Sequence, residues 1–129
     1  MQERKRISTD RGPAAIGPYS QAIAAGDFVF VSGQIPLDPS TGKMVEGDVA
    51  AQTERVMKNL AGILDAAGSS MDRAVKATIF LVDLGDFEVV NRVYGKAFEG
   101  DPPARATVQV AGLPKGARVE IDLVALRSR

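Results

Sequence analysis

DVAAQTERVMKNLAGILDAAGSSMDRAVKATIFLV, residues 48–82, predicts a helix followed by a strand, and this stretch decides the fold. Asp48 has the side chain of a helix N-cap, and Gly68 stands where a left-handed C-terminal cap is expected. Between them, residues that are apolar except for one threonine recur at steps of three and four, which predicts the buried face of an amphipathic helix. That face consists of Val49, Thr53, Val56, Leu60, Ile63, Leu64 and Ala67.

The strand is expected over residues 75–82, where successive side chains point to opposite faces. Phe80 and Val82 lie on one face, so the strand is apolar on both sides near its end. The other face holds Val75, Ala77, Ile79 and Leu81.

Turn residues divide the rest of the chain into short elements. Gly26-Asp27 separates two apolar runs, which predicts a hairpin. Loops rich in Pro and Gly cover residues 12–18 and 35–47. Besides 75–82, strands are expected over residues 2–8, 20–25, 28–31, 105–111 and 119–126.

The second helix is expected over residues 84–98, with Asp83 or Asp86 as its cap. Its apolar stripe consists of Phe87, Val90, Tyr94 and Phe98. The element order is therefore β-β-β-α-β-α-β-β, which predicts one α+β domain over residues 1–129, a mixed sheet with two helices on one face. The second face of the sheet is partly apolar as well, so we expect a closed homo-oligomer that covers it.

The composition excludes several classes of site. The 129 residues include no cysteine and no histidine, so no Ser-His-Asp triad or thiolate nucleophile is possible. Zinc sites almost always use Cys or His, so we expect no zinc site. The formal net charge is zero, whereas nucleic-acid binders are usually basic. No signal peptide or membrane-spanning run is visible, so the expected compartment is the cytoplasm.

Two segments combine an apolar strand with polar residues at its end. Tyr19 follows a stiff Gly-Pro pair, and Ser32-Gly33 ends an apolar run. Strand ends are common places for sites, and Gly33 would let a ligand approach the backbone closely. The alternatives are an ordinary turn at Tyr19 and a strand that simply stops at Ser32.

Two other segments carry charged groups that suit an acid substrate. Arg105 and Thr107 share one face of a predicted strand, and a guanidinium binds a carboxylate through two parallel hydrogen bonds. Glu120 lies between apolar neighbours, where partial burial would raise its pKa toward the range of a general base. The alternatives are a surface ion pair for Arg105 and a solvated face for Glu120.

Taken together, these segments resemble the RidA (reactive intermediate deaminase) family over residues 7–126. The matching stretches are IGPYSQA at 16–22, VFVSGQIPLDPSTG at 29–42, Gln52-Thr53, Asn59-Leu60, VNRVYGKAF at 90–98 and PARATVQVAGLPKGARVEID at 103–122. Any one of them is weak, but their order and spacing together are specific.

The resemblance implies a chorismate-mutase-like fold that forms a homotrimer with active sites in the clefts between subunits. It implies a 2-iminobutanoate/2-iminopropanoate deaminase, a cofactor-independent hydrolase that converts 2-aminoacrylate and related imino acids to 2-keto acids and ammonia. Arg105 matches the residue that grips the substrate carboxylate, and Glu120 matches the acid that deprotonates the attacking water. Tyr19 matches a tyrosine near the imine nitrogen.

The resemblance also assigns the supporting positions. Ser32 and Gly33 match the pair that lines the cleft, with the Gly33 carbonyl helping to place water. Asn91 matches an asparagine of the second helix near the pocket. Thr107 stands where many members have Cys, so a side-chain role there is in doubt, although its backbone amide could bind the carboxylate.

Two alternatives remain open from the sequence. One is a non-catalytic binder of small carboxylates, or a chaperone-like scaffold, on the same trimer. The other is an RNA-directed relative, against which the zero net charge argues.

Overall fold

The computed structural model describes residues 3–128, and its longest element is the helix α1, Val49–Ala66. Asp48 caps this helix as predicted, because its carboxylate accepts a hydrogen bond of 3.0 Å from a backbone amide of the first turn. Gly68 follows the helix with φ = 76°, which is the left-handed cap that the sequence predicts. All seven residues of the predicted buried face are buried.

Six strands form one mixed sheet, as predicted. They are β1 Arg4–Ile7, β2 Ala22–Ala25, β3 Phe28–Gln34, β4 Ala74–Leu81, β5 Ala104–Gln109 and β6 Val119–Leu126. Their order is β1-β2-β3-β6-β4-β5; β4 and β5 run parallel, and the other neighbours are antiparallel. The strands β1 and β5 therefore form the two edges of the sheet.

Strand boundaries differ from the predicted ones where pairing partners end. The strand β5 stops at Gln109 rather than at residue 111, because Leu81, its partner in β4, is the last residue of that strand. The strand β2 begins at Ala22 rather than at residue 20. Gln2, in the predicted strand 2–8, lies outside the described residues.

Val75 does not share the buried face of β4, so that prediction is wrong. The pairing of β4 with β6 is irregular between Ala74 and Lys76, and Val75 is 37% exposed. A bulge of this kind breaks the alternation of faces within one strand. Ala77 and the alternate residues after it are buried as expected.

The second helix is shorter than predicted. A 3-10 turn covers Leu84–Asp86, and the helix α2 covers Phe87–Gly95. Asp83 caps the turn by accepting a hydrogen bond from the Gly85 amide at 2.8 Å. Asp86 makes no side-chain cap, because both of its carboxylate oxygens accept hydrogen bonds from Arg118 Nη2 at 2.9 Å.

Both α-helices pack on the same side of the sheet, which we call the helix face. The helix-face side chains of the central strands, such as Val29, Ile79 and Ile121, are fully buried in one core with residues of α1 and α2. No helix of residues 3–128 lies over the opposite side, which we call the open face. Its exposed apolar side chains include Phe28, Phe30, Val108 and Leu126.

Within residues 3–128, neither helix is long and apolar enough to cross a lipid bilayer.

Buried amide side chains hold the loops against this framework. The Gln21 amide accepts a hydrogen bond from the Thr9 amide and donates to the carbonyls of Thr9, Gly12 and Pro13. Asn59 of α1 donates to the Leu37 carbonyl at 2.9 Å. These two side chains fix the 9–13 and 35–47 loops by contacts between residues far apart in sequence.

We expect Gln21→Ala to lower the free energy of unfolding by about 2–4 kcal/mol, because it leaves buried backbone groups of the 9–13 loop without partners. Urea denaturation followed by circular dichroism measures the change. The matched control is Gln109→Ala, whose exposed side chain accepts one hydrogen bond, from the Leu84 amide. Equal losses in the two variants would contradict this role for Gln21.

Candidate active site

A β-bulge lies where β3 passes β6. Two residues of β3, Ser32 and Gly33, oppose the single residue Asp122 of β6, and regular pairing resumes at Gln34. The Ser32 hydroxyl donates to the Ser20 carbonyl at 2.6 Å, and its amide donates to the Gln21 carbonyl. Bulges redirect side chains and are frequent beside active sites. This bulge turns the backbone of residues 32–33 toward the open face.

Glu120 is the close neighbour of the bulge. A Cβ atom placed on Gly33 would lie 2.5 Å from Glu120 Oε2, closer than real Cβ contacts come. A larger residue at position 33 would therefore displace the Glu120 carboxyl group from this position. The sequence predicts that Gly33 lets a ligand approach the backbone; within the chain itself, the group that approaches the Gly33 backbone is the Glu120 carboxyl.

The Glu120 carboxyl is half-buried, and its pKa is raised. Burial is the larger cause, and the negative charge of Asp122, two residues along the same face, adds to it. The pKa of Asp122 is raised too, chiefly by burial, while hydrogen bonds from Thr78 oppose the change. A carboxylate with a raised pKa accepts a proton more readily, which is the property that a general base requires.

Glu120 lines a cavity of about 550 Å³. Tyr19, Ser32 and Gly33 line the same cavity, so the structure brings four of the predicted site residues together. Tyr19 is 53% exposed, which leaves its phenol accessible from the cavity. The remaining wall is largely apolar, formed by Pro13, Ala14, Ile16, Ile35, Leu37 and Pro114. We call this space the Glu120 cavity.

Lys115 also lines the Glu120 cavity, although it is not among the site residues predicted from the sequence. Within residues 3–128 it is the one non-glycine residue with positive φ, at 57°. Such strain is held by surrounding structure and is frequent at functional sites. The sequence feature that could have pointed to Lys115 is its position between Pro114 and Gly116 in a short loop.

Arg105 lies elsewhere, on the helix face of the edge strand β5. Its register partner in β4 is Ala77, whose side chain is buried beneath the helices. The guanidinium carbon lies 5.5 Å from the ring centroid of Phe87 and 5.3 Å from that of Tyr94, both in α2. Within residues 3–128 no carboxylate pairs with Arg105. Arg105 therefore does not form, within the single chain, the surface ion pair that was the alternative for it.

Thr107 and Asn91 belong to the same corner. Thr107 is two residues beyond Arg105 on the same face of β5, and its buried hydroxyl has no hydrogen-bond partner among the described residues. Asn91 lies on α2 between Phe87 and Tyr94, on the helical stripe that all three residues share. We call the group of Arg105, Thr107 and Asn91 the Arg105 corner.

The ring of Tyr94 lies against the Arg105 guanidinium. It is buried, and its hydroxyl has no partner within the described chain. Burial raises the pKa of Tyr94 despite the opposing effect of the positive charge on Arg105. The phenol is therefore neutral at physiological pH, and its contact with the guanidinium is through the ring face.

Arg105 and Glu120, the two charged groups of the predicted site, lie on opposite faces of the sheet within one chain. Glu120 pairs with Phe80 of β4, and Arg105 pairs with Ala77 of the same strand. Residues 77 and 80 differ in parity, so the two side chains point to opposite faces of the sheet. Arg105 and Glu120 can therefore meet only if one copy of the chain supplies the first and another copy supplies the second.

The part of the chain covered by the structure, residues 3–128, contains no cluster of three or more His, Cys, Asp or Glu side chains that could hold a metal ion.

Comparison with known proteins identifies the family of this chain. A family model described as "Endoribonuclease L-PSP" matches residues 9–127. The chain is 60% identical over 125 residues to Protein DfrA of Myxococcus xanthus, covering 95% of each. It is 49% identical over 124 residues to the 2-iminobutanoate/2-iminopropanoate deaminase of Mus musculus, covering 96% of this chain and 92% of that one.

A solved structure supports the same relationship. The crystal structure of E. coli TdcF with bound serine matches with a TM-score of 0.90 at 43% identity, covering 96% of this chain and 99% of that one. The matches extend over nearly the whole sheet and both helices, including the Glu120 cavity and the Arg105 corner. The chain therefore belongs to the RidA family, whose sequence model carries the description Endoribonuclease L-PSP.

Proposed function

We propose that this protein is a 2-iminobutanoate/2-iminopropanoate deaminase that acts in the cytoplasm without metal or organic cofactor. Its substrates would be reactive imino acids, including the imine form of 2-aminoacrylate, and its products 2-keto acids and ammonia. The observation that carries this proposal is the half-buried Glu120 carboxyl, held against Gly33 in a cavity with its pKa raised. A simple carboxylate-binding protein has no need of such a group.

The proposed site is completed by a second copy. The Glu120 cavity of one copy would receive the Arg105 corner of the next, and repetition around a three-fold axis would give a homotrimer with three sites. The exposed apolar side chains of the open face, such as Phe30 and Val108, support this arrangement because a neighbouring copy would cover them. The edge position of β5 leaves Arg105 near the rim, where a neighbour can reach it.

In the proposed reaction, Arg105 binds the substrate carboxylate and presents the imine carbon in one orientation. Thr107 and Asn91 would line this end of the site, and Tyr19 would lie near the imine nitrogen. Ser32 and Gly33 would flank the attacking water, with the Gly33 carbonyl accepting one of its hydrogen bonds.

As water attacks the imine carbon, a C–O bond forms, and Glu120 accepts one proton of the water and passes it to the imine nitrogen, which gives a neutral carbinolamine. Glu120 then accepts the proton of the carbinolamine hydroxyl and delivers it to the amino nitrogen, so the C=O bond forms as the C–N bond breaks and ammonia leaves. General base catalysis contributes about 10²- to 10⁴-fold in rate. That range is sufficient for an imine that already reacts with water.

The test is a panel of 2-imino acids, each generated in the cuvette by an amino-acid oxidase. We expect the wild-type chain to accelerate the disappearance of 2-iminopropanoate and 2-iminobutanoate with stoichiometric release of ammonia. A rate equal to that of buffer with every imino acid would contradict the proposal. Because the 60% identical relative bears a name that specifies no reaction, the panel includes imino acids with longer side chains.

We expect a trimer at micromolar concentration in sedimentation velocity, because the uncovered sheet face is apolar. The variant Phe30→Lys, which places a charge in that face, should shift the distribution toward monomer and abolish activity. The control Val75→Lys alters an exposed apolar residue outside the regular alternation of β4 and should leave the trimer intact. A monomeric wild-type chain would contradict the shared site.

RNA binding is the alternative suggested by the family description. The chain has a formal net charge of zero, and its basic run Arg4-Lys5-Arg6 is confined to the edge strand β1. These features favour the deaminase. RNA binding that weakens strongly with salt would favour the alternative.

A further inference from the structure

The two rings beside Arg105 are spaced as a cradle for its guanidinium. Phe87 and Tyr94 are seven residues apart on α2, and seven residues of α-helix advance about 10.5 Å along the axis. The guanidinium carbon lies at nearly equal distances from the two ring centroids, 5.5 Å and 5.3 Å. It therefore occupies the space between two side chains that project from the same stripe of the helix, two turns apart.

This contact leaves the hydrogen-bonding edge of Arg105 available. Ring faces attract a cation but accept no conventional hydrogen bonds, and within residues 3–128 no carboxylate engages the guanidinium. An arginine held in this way keeps its planar fork of N–H donors for a ligand. An arginine held by a carboxylate would have used the same donors already.

The start of α2, which carries Phe87, is anchored by contacts outside the Arg105 corner. Asp86, the preceding residue, receives two hydrogen bonds of 2.9 Å from Arg118 Nη2, and its carboxylate is largely buried. The Arg118 backbone amide is in turn bound by the Gln52 amide oxygen of α1 at 2.9 Å. The start of α2, where Phe87 lies, is thereby tied to both α1 and the beginning of β6.

We propose that Phe87 and Tyr94 are positioning residues, whose ring faces pre-order the Arg105 guanidinium for the substrate carboxylate. A free arginine side chain loses much rotamer freedom when it binds a ligand, and the cradle removes that freedom before binding. This inference rests on the proposed function of Arg105 as the carboxylate-binding group. Neither ring touches the reacting atoms.

The test variant is Phe87→Leu, since Phe87 is 37% exposed and its truncation leaves the core intact. We expect KM for 2-iminobutanoate to rise about five- to tenfold, the size of a partly exposed cation–π contact, with kcat changed less than twofold. The carboxylate contact exists in both the bound substrate and the transition state, so its weakening acts on KM. Phe87→Tyr, which keeps the ring, should restore the wild-type KM.

Two further variants complete the set. Tyr94→Phe should keep the wild-type KM, because it retains the ring that contacts the guanidinium and removes only a hydroxyl that has no hydrogen-bond partner within residues 3–128. Leu84→Ala is the matched control, an exposed apolar residue three positions before Phe87, and should leave KM unchanged. A wild-type KM in Phe87→Leu, or a lower kcat at unchanged KM with a lower melting temperature, would overturn the proposal.

Binding of the product 2-oxobutanoate, measured by calorimetry, separates this inference from the proposed function. If wild type hydrolyses no imine but binds 2-oxobutanoate more tightly than Phe87→Leu does, the deaminase assignment fails and the cradle stands. If wild type is active and both chains bind 2-oxobutanoate equally, the cradle fails and the deaminase stands. Absence of binding to wild type would overturn the cradle.

Discussion

Replacing Arg105 by alanine is expected to lower kcat/KM for 2-iminobutanoate about 10²- to 10⁴-fold. A bidentate contact supplies two charge-assisted hydrogen bonds, each of about 1.5–3 kcal/mol, and every factor of ten in rate corresponds to about 1.4 kcal/mol. The loss should appear chiefly in KM, with a part in kcat because the imine carbon is no longer held in one orientation. Steady-state rates with imino acid generated in the assay measure both.

Arg105→Lys is the informative companion. An ammonium keeps the positive charge but cannot make two parallel hydrogen bonds or lie flat between the rings of Phe87 and Tyr94, so we expect about a tenfold loss. Arg92→Ala serves as control, because Arg92 is an exposed arginine of α2. Wild-type kinetics in Arg105→Ala would contradict the assignment of the carboxylate-binding group.

The parts of the fold that the sequence predicts correctly are those that local chemistry determines. The helix α1 has its cap, its buried face and its terminal glycine within 21 consecutive residues, so nothing distant is needed to place it. The turn at Gly26-Asp27 and the strand β6 are equally local.

The parts that the sequence misplaces depend on distant partners. Val75 fits the alternation of β4 within its own sequence, and only the pairing with β6 introduces the bulge that exposes it. Asp86 is a plausible helix cap until Arg118, 32 residues away, takes its carboxylate. Both errors come from interactions that a local pattern does not contain.

In the candidate site, too, the sequence predicts individual residues but not the contacts between distant segments. Glu120, Gly33, Ser32 and Tyr19 were each predicted, and the structure gathers them in one cavity. Their mutual geometry was not predictable, because the approach of Glu120 to Gly33 arises from a bulge between two strands. The resemblance placed the site between subunits, and the opposite faces of Arg105 and Glu120 are consistent with that expectation but do not test it.

Replacing Glu120 by glutamine is the second change with a large expected effect, a loss of about 10²- to 10⁴-fold in kcat. An amide cannot accept the proton of the attacking water, but it preserves the shape beside Gly33, so KM should change little. Asp122→Asn removes the neighbouring negative charge without removing the base. It should retain activity and move the acid limb of the kcat/KM profile to lower pH, because the pKa of Glu120 falls.

Glu120→Gln, which lowers kcat, should raise the stability of the folded chain at neutral pH. The pKa of Glu120 lies above its ordinary value of 4.5 in the folded chain, so the folded state binds this proton more tightly than the unfolded state. The stability that Glu120 contributes is therefore present below pH 4.5 and is lost as the pH rises through the raised pKa. We expect Glu120→Gln to melt at a higher temperature than wild type at pH 7, and this advantage to vanish below pH 4.5.

Mixing the two inactive variants decides whether the site is shared. If Arg105 and Glu120 act across a subunit interface, a trimer assembled from Arg105→Ala and Glu120→Gln chains contains some sites that take both intact groups. Random assembly of equal amounts restores about one site in four. If both groups of a site came from one chain, every site would lack one of them, and the mixture would remain as inactive as its components. Recovery of activity on co-refolding therefore requires the two faces of the sheet to meet in neighbouring copies, since no movement within one chain brings Arg105 and Glu120 to the same side.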